Sequence, residues 1–279
     1  MQIIKSGGGK EDFSREKLLR FLRATGASAA VAEEIASGIE LKAHEGMTTS
    51  EIYELAYHGL KSAGSFHPPK YSLKHAVAML GPTGFPFEQF VARVFEQQGY
   101  KVLLDQYLRG ECAMHEVDVI AFNEKELIVC EIKFHNELGI KSDLKVALYV
   151  KARFDDLLNQ PIDILGVPRK MTTGMLITNT KFTLSALEYA MCKGLNLIGW
   201  NTPPGKGLEY LITTLNLYPI TLLSSLSHVQ KQQLIAQGMM LVSDILDKQE
   251  IVQKVLQLNP EDTEAVLTEA RSLFPTKGL

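Results

Sequence analysis

The sequence has only three cysteines, Cys112, Cys130 and Cys192, spaced far apart and without a C-x-x-C pair. That usage points to small buried hydrophobes rather than to disulfides or zinc ligands. No apolar run is long enough to span a bilayer, and nothing at the start resembles a signal peptide. The expectation is therefore no membrane partner and a cytoplasmic location. Positive charge is not in excess either: 29 Lys and Arg stand against 32 Asp and Glu, a net charge of −3. Such a balance argues against a constitutive nucleic-acid binder that works through an overall positive field, so any such contact must use a local groove. There is no internal repeat. What remains is ordinary, with 46% apolar and 22% charged residues over 279 positions. These totals describe a soluble globular chain with room for more than one domain.

Gly and Pro mark the divisions. GSFHPPK (64–70), GPTGFP (81–86) and NTPPGKG (201–207) are the densest breaks. They separate a mainly helical segment 1–80, a mixed segment 81–212 and a helical segment 213–279. In the first, a short strand QIIK precedes helices, one of which starts at Thr48 or Thr49 with a hydroxyl as cap and Glu51 in its first turn. In the second, FEQFVARVFEQQG spaces Phe87, Phe90, Val91, Val94 and Phe95 on one helical face and stops at Gly99. Strands YKVLLDQ, VDVIAF and ELIVCEIKF follow, then a helix over about 143–159, a strand GMLITN, a helix SALEYAMCKG and a strand LNLIGW. That order predicts an α/β core, a mixed sheet flanked by helices. In the third, Asn259-Pro260 reads as a helix start.

The stretch VDVIAFNEKELIVCEIKFHN, Val117 to Asn136, sets Asp118, Glu131 and Lys133 inside apolar strand runs. Side chains alternate along a strand, so Glu131 and Lys133 share a face. A hairpin turning through 123–126 pairs Phe122 with Leu127 and brings Asp118 opposite Glu131. Opposed carboxylates repel. A divalent cation would reverse that sign, and Mg2+ takes carboxylate oxygens while keeping several waters. Lys133 would then stabilise a phosphate in flight or help deprotonate a metal-bound water. The bland alternative is an ordinary hairpin whose exposed charges pair with Lys133, and a lone E-x-K carries no more than that. Here Asp stands at the matching cross-strand position and both strands are otherwise apolar.

Asp118…Glu131-Ile132-Lys133 resembles the D…(D/E)-x-K signature of restriction-endonuclease-like nucleases. GFPFEQFVARVFEQQGYKV resembles the first helix and strand of their Mrr-type branch, and GMLITNTKFTLSALEYAMCKGLNLIGW its later strand-helix-strand. Many Mrr-type members carry Gln where Glu131 stands. The resemblance spans about 81–200. It implies Mg2+- or Mn2+-dependent cleavage of DNA, with Asp118 and Glu131 as metal ligands, Lys133 catalytic, and Glu88 an accessory ligand or orienter. It also implies a homodimer or higher homo-oligomer, so that both strands are cut. His115 and His135 near the strand ends read equally well as phosphate contacts and as loop histidines.

At the front, SGGGK is not a P-loop, because it lacks the G-x-x-x-x-G-K-[ST] spacing. Lys5, Lys10 and Lys17 nevertheless surround a Gly-rich turn, and Lys17 sits near a helix N-terminus, where an anion is favoured. IIKSGGGKEDFSREKL followed by EGMTTSEIYELAYHGL resembles the ATP-cone domain, a small regulatory nucleotide-binding module, over about 2–80. The resemblance implies ATP or dATP as a regulatory ligand and no hydrolysis of it. Lys5, Lys17, Thr49 and Tyr53 fall on the module's nucleotide contacts, with Glu11 and Ser14 on further ones. Ser6-Gly7 stands where the usual module has Arg-Asp, and Lys10 is the compensating cation.

The tail, LYPITLLSSLSHVQKQQLIAQGMMLVSDIL, reads as two amphipathic helices broken near Gly238 and loosely resembles helix-hairpin-helix modules. Its acidic balance and Leu/Met stripe favour packing on the central domain or on a second subunit. The leading expectation is a nucleotide-regulated DNA endonuclease. The alternatives are a non-catalytic, nucleotide-responsive DNA-binding or assembly protein on a nuclease fold, and a structure-specific nuclease of the resolvase kind.

Overall fold

The computed structural model describes residues 1–4, 9–24, 27–63 and 70–274. Contacts divide the chain into two compact units, one of residues 1–73 with 137–139, the other of 74–136 with 140–279.

In the first unit, β1 (Gln2–Ile4) and β2 (Lys10–Asp12) form an antiparallel pair with Ile3 opposite Glu11. Three helices follow, α1 (Arg15–Ala24), α2 (Ala29–Lys42) and α3 (Thr49–Ser62). They enclose a core that includes Ile3, Leu18, Leu22, Ala36, Ile39 and Leu60. α3 opens on a reciprocal cap: the Thr48 amide donates to Glu51 Oε2 at 2.7 Å, and the Glu51 amide to Thr48 Oγ1 at 3.2 Å. Thr48 is therefore the cap and Thr49 the first helical residue. α4 (Lys70–Ala78) leads into the sequence of the second unit.

The second unit is built on a mixed sheet. α5 (Phe85–Gln97) precedes β3 (Lys101–Arg109), β4 (Met114–Phe122) and β5 (Leu127–Lys133), which run antiparallel in sequence. After β6 (Lys141–Ser142) and α6 (Leu144–Leu157), a hairpin of β7 (Ile162–Ile164) and β8 (Val167–Arg169) leads to β9 (Thr173–Thr178). β10 (Lys181–Phe182) pairs in parallel with β6 outside the main sheet, and α7 (Leu184–Lys193) and β11 (Asn196–Ile198) follow. The five-stranded order is β11-β9-β5-β4-β3, and β9 and β11 add in parallel to β5. β5 lies at the centre, which is why its burial is nearly continuous and its sequence is an almost unbroken apolar run.

Each face of the sheet is covered. Ile120, Phe122, Leu127, Val129 and Leu176 join Ala147, Val150, Phe154 and Leu157 of α6 and Ala186 and Ala190 of α7 in one core. α5 packs on β3 and β4 through the apolar face legible in its spacing, and Phe87, Phe90, Val91, Val94 and Phe95 are all buried. Each such side chain contributes about 2 kcal/mol by its removal from water. Gly99, with φ of +89°, ends that helix as expected.

α8 (Leu208–Thr214) leads into the tail, which forms α9 (His228–Ala236), α10 (Val242–Asp247), α11 (Gln249–Leu256) and α12 (Pro260–Ser272), with a 3-10 turn over Ile220–Leu222. Gly238 breaks α9 from α10 with φ of +73°, and Asn259 caps α12 through its side chain at 2.8 Å. The tail belongs to the second unit. Buried Asp244 accepts the amides of Met240 and Leu241 and an ion pair from Arg93 of α5 at 3.2 Å. Thr221 donates to the Ala76 carbonyl at 2.6 Å. The tail is thus fixed to the helix that carries Glu88.

Candidate active site

The β4–β5 hairpin turns through 123–126 as its sequence dictates. Asn123 Oδ1 accepts from the amides of Lys125 and Glu126, both at 2.9 Å, an Asx turn that closes the loop. The register is Phe122 opposite Leu127 and Val119 opposite Cys130. One step further, beyond the paired residues, Asp118 falls opposite Glu131. There the Asp118 carboxylate stands in for the backbone, and its Oδ2 accepts the Ile132 amide at 2.5 Å. Asp118 is half-buried and Glu131 is buried.

Glu131 is the most heavily partnered group. Its Oε1 accepts from Lys133 Nζ at 2.7 Å and from the Tyr149 hydroxyl at 2.9 Å, while Oε2 accepts from Arg153 Nη1. Tyr149 and Arg153 stand four residues apart on α6, hence on one helical face. Their side chains stack as well, since Lys133 Nζ and the Arg153 guanidinium lie 5.6 Å and 5.7 Å from the Tyr149 ring centre. Burial works against the Lys133 charge, but the hydrogen bonds to Glu131 and Tyr149 outweigh it and hold the ammonium protonated well above the usual lysine range.

Glu88 projects from the first turn of α5 over Gly84. A Cβ at Gly84 would stand 3.0 Å from Glu88 Oε1, so glycine gives this carboxylate its seat. Burial, then the charges of Asp118 and Asp105, push the Glu88 carboxyl up to about 7. Burial first and Glu131 second push Asp118 up to about 6. Asp105 was not foreseen from the sequence. It occupies the step of β3 opposite Asp118, between the pairs Leu104–Val119 and Gln106–Val117, and is exposed with φ of +51°. A positive φ is uncommon for a non-glycine residue, and Asp is among those that adopt it most readily.

Four carboxylates, Glu88, Asp105, Asp118 and Glu131, therefore share one end of the sheet with the cations Lys133 and Arg153. Among the described residues no three of His, Cys, Asp and Glu make a ready-built metal cage. Magnesium requires less, because it binds through one or two carboxylates and keeps its waters. The donor set suits such an ion. Asp118 and Glu131 would hold it, with Glu88 within electrostatic reach of Asp118.

The flanking histidines divide. His115 Nε2 lies 2.7 Å from Asp156 Oδ2, and the same carboxylate accepts the amides of Cys112 and Ala113, so His115 serves the β3–β4 turn. His135 follows Lys133. Its main chain is clamped by Asn179, which accepts the His135 amide at 2.9 Å and donates to its carbonyl at 2.7 Å. The His135 ring lies 3.2 Å from Ser142 Oγ, and burial, then Lys133, lower its pKa.

In the first unit, Glu11, Ser14, Lys17 and Thr49 line one open cleft with Ile3, Phe13, Leu18 and Ile52. Lys17 pairs with Glu11 at 3.1 Å. Lys10 is exposed on β2 and is not among the residues that line the cleft. Lys5 lies outside the described residues; Tyr53 lies on α3, but its side chain is outside them.

Known proteins resemble this chain in two parts. A family model described as restriction endonuclease matches residues 81–202, and one described as AF1548-like, C-terminal, matches residues 218–274. An uncharacterized protein of Archaeoglobus fulgidus is 31% identical over 184 residues, which is 66% of this chain and 99% of that one. The crystal structure of AF1548, a protein of unknown function, is similar at a TM-score of 0.56 and 30% identity, over 68% of this chain and 98% of that chain. No helix among the described residues is long and apolar enough to cross a membrane. The chain belongs to the AF1548-like family and carries a restriction-endonuclease-like domain over residues 81–202.

Proposed function

We propose that the protein is a divalent-metal-dependent DNA endonuclease. The observation that carries this reading is the convergence of Asp118, Glu131 and Lys133 at one end of the central strands of a restriction-endonuclease-like domain. In this reading Asp118 and Glu131 hold a Mg2+ or Mn2+ ion, and Glu88 adds a carboxylate beside them. The ion supplies Lewis-acid polarisation of the phosphodiester and an acidified water. Lys133 stays protonated and offsets the negative charge that develops on the phosphate. Asp118, tied to the Ile132 amide, and Glu131, tied to α6, are oriented before substrate arrives. Each copy carries one such site, so cutting both strands calls for a homodimer or a higher homo-oligomer.

A regulatory nucleotide site in the first unit is the second part of the proposal. It is supported by the grouping of Glu11, Ser14, Lys17 and Thr49 around one cleft. ATP or dATP there would bind without being hydrolysed and bias the nuclease. Calorimetric titration of the full chain with ATP and dATP, repeated on Lys17→Ala, tests it. Loss of binding in the variant is expected, and equal binding by both proteins would count against the site.

The nuclease reading is tested by a cleavage panel of supercoiled, linear, single-stranded and branched DNA in Mg2+ or Mn2+ against a chelator, with and without ATP and dATP. Metal-dependent nicking is expected. DNA binding without cleavage under every metal would favour a non-catalytic DNA-binding role, and preference for branched DNA would make the enzyme resolvase-like.

A further inference from the structure

Glu131 is already engaged by cations of the protein itself. Its two oxygens accept from two cations and a phenol, and only 4% of its side chain is exposed. A buried carboxylate needs such partners. A metal ligand, however, must turn lone pairs toward the metal, so the cations that stabilise Glu131 also compete for it.

The two cations are not held alike. Lys133 rides on a flexible stem and is 32% exposed. Arg153 is more deeply set at 23% and is anchored independently, since its Nη1 also donates to the Glu116 carbonyl at 2.9 Å. Behind it, Phe154 packs against Gly174, where a Cβ would approach the ring to 2.4 Å, so α6 has no room to shift toward β9. The guanidinium is thus fixed beside Glu131, and its position does not depend on that contact alone.

We propose that Arg153 is a resident counter-cation of the site, a positioning residue that occupies Glu131 when no divalent ion is present and opposes the ion's entry. The inference rests on the metal-dependent reading above. Arg153 keeps Glu131 oriented between turnovers and raises the metal concentration at which the site fills. With Arg153 also held by the Glu116 carbonyl, Lys133 would be the partner that gives way on Glu131 when a divalent ion is bound, leaving its ammonium to face the phosphate.

The test is calorimetric titration of Mn2+ into the full chain without DNA, on wild type, Arg153→Met, Arg153→Lys and Asp118→Asn. Arg153→Met keeps the stem and removes the charge. It should bind Mn2+ more tightly by on the order of tenfold, the scale of one unit charge beside a divalent ion when water screens it. Arg153→Lys should stay close to wild type, and Asp118→Asn should lose binding. Arg153→Gln, a donor without charge, gives the same tightening if the methionine variant does not fold. A variant damaged only in structure would bind more weakly, so tightening separates the two cases. Unchanged or weaker binding in the neutral variants, with wild-type binding intact and lost in Asp118→Asn, overturns the role of Arg153 and leaves the metal site standing. A wild type that binds no Mn2+, or an Asp118→Asn variant that binds it equally, removes the metal site and this inference with it.

Discussion

Glu88 makes the protein's stability depend on pH in a way that one substitution removes. Its carboxyl is raised from 4.5 to about 7, by burial first and by the charges of Asp118 and Asp105 next. A carboxyl with a folded pKa above its unfolded value binds its proton more tightly in the folded state. The Glu88 contribution to stability is therefore greatest below pH 4.5 and falls as pH rises toward 7, after which its loss is complete. At 1.36 kcal/mol per unit, a fully shielded group would cost roughly 3 kcal/mol. Glu88 is only half-buried, and water screening reduces this to about 1–2 kcal/mol. Glu88→Gln removes the Glu88 part of the slope. Trp200 is the chain's single tryptophan, is buried and lies in the second unit, so its fluorescence follows the unfolding of that unit. Urea titrations in chelator at pH 5 and pH 8 should show the variant gaining about 1–2 kcal/mol on wild type between the two values. Asp118 titrates in both proteins, and because its charge acts on Glu88 the comparison reads the coupled pair. Parallel stabilities at the two pH values would refute the electrostatic account of Glu88.

Two further perturbations follow from the frame around the site. Gly174→Ala sets a Cβ 2.4 Å from the Phe154 ring and should cost about 1–3 kcal/mol by overpacking, with part recovered in the double variant with Phe154→Leu, read by the same fluorescence. Asp156→Ala should lower the melting temperature, since Asp156 accepts from Cys112, Ala113 and His115. The His115 hydrogen bond is the largest cause that holds the Asp156 carboxyl down to about 2. A depressed carboxyl gives its stabilisation above its unfolded pKa, so the wild-type advantage should be full at neutral pH and fade as pH falls from 3.8 toward 2.

Much of the centre was legible because its signals are local. The hairpin register followed from a four-residue turn, and the α5 face from a 3.6-residue period, and both appear in the fold. The Asn259–Pro260 start of α12 also follows from short-range chemistry. Tyr149, Arg153 and Asp105 did not announce themselves. Tyr149 and Arg153 reach Glu131 only once α6 is laid across a sheet whose order, β11-β9-β5-β4-β3, departs from the sequence order. Their spacing on one helical face was a signal that could have raised the question. Asp105 became visible only through the register of β3 on β4 and its positive φ. The small β7–β8 hairpin was also missed, because three-residue strands carry too little alternation to be read.

The central claim is that Asp118, Glu131 and Lys133 form one hydrolytic centre. The measurement that meets it most directly is the initial rate of supercoiled plasmid nicking in Mg2+ by wild type, Asp118→Ala and Lys133→Ala, each checked for folding through Trp200. The account predicts nicking by wild type that stops in chelator and is lost in both folded variants. Robust cleavage by both would contradict it.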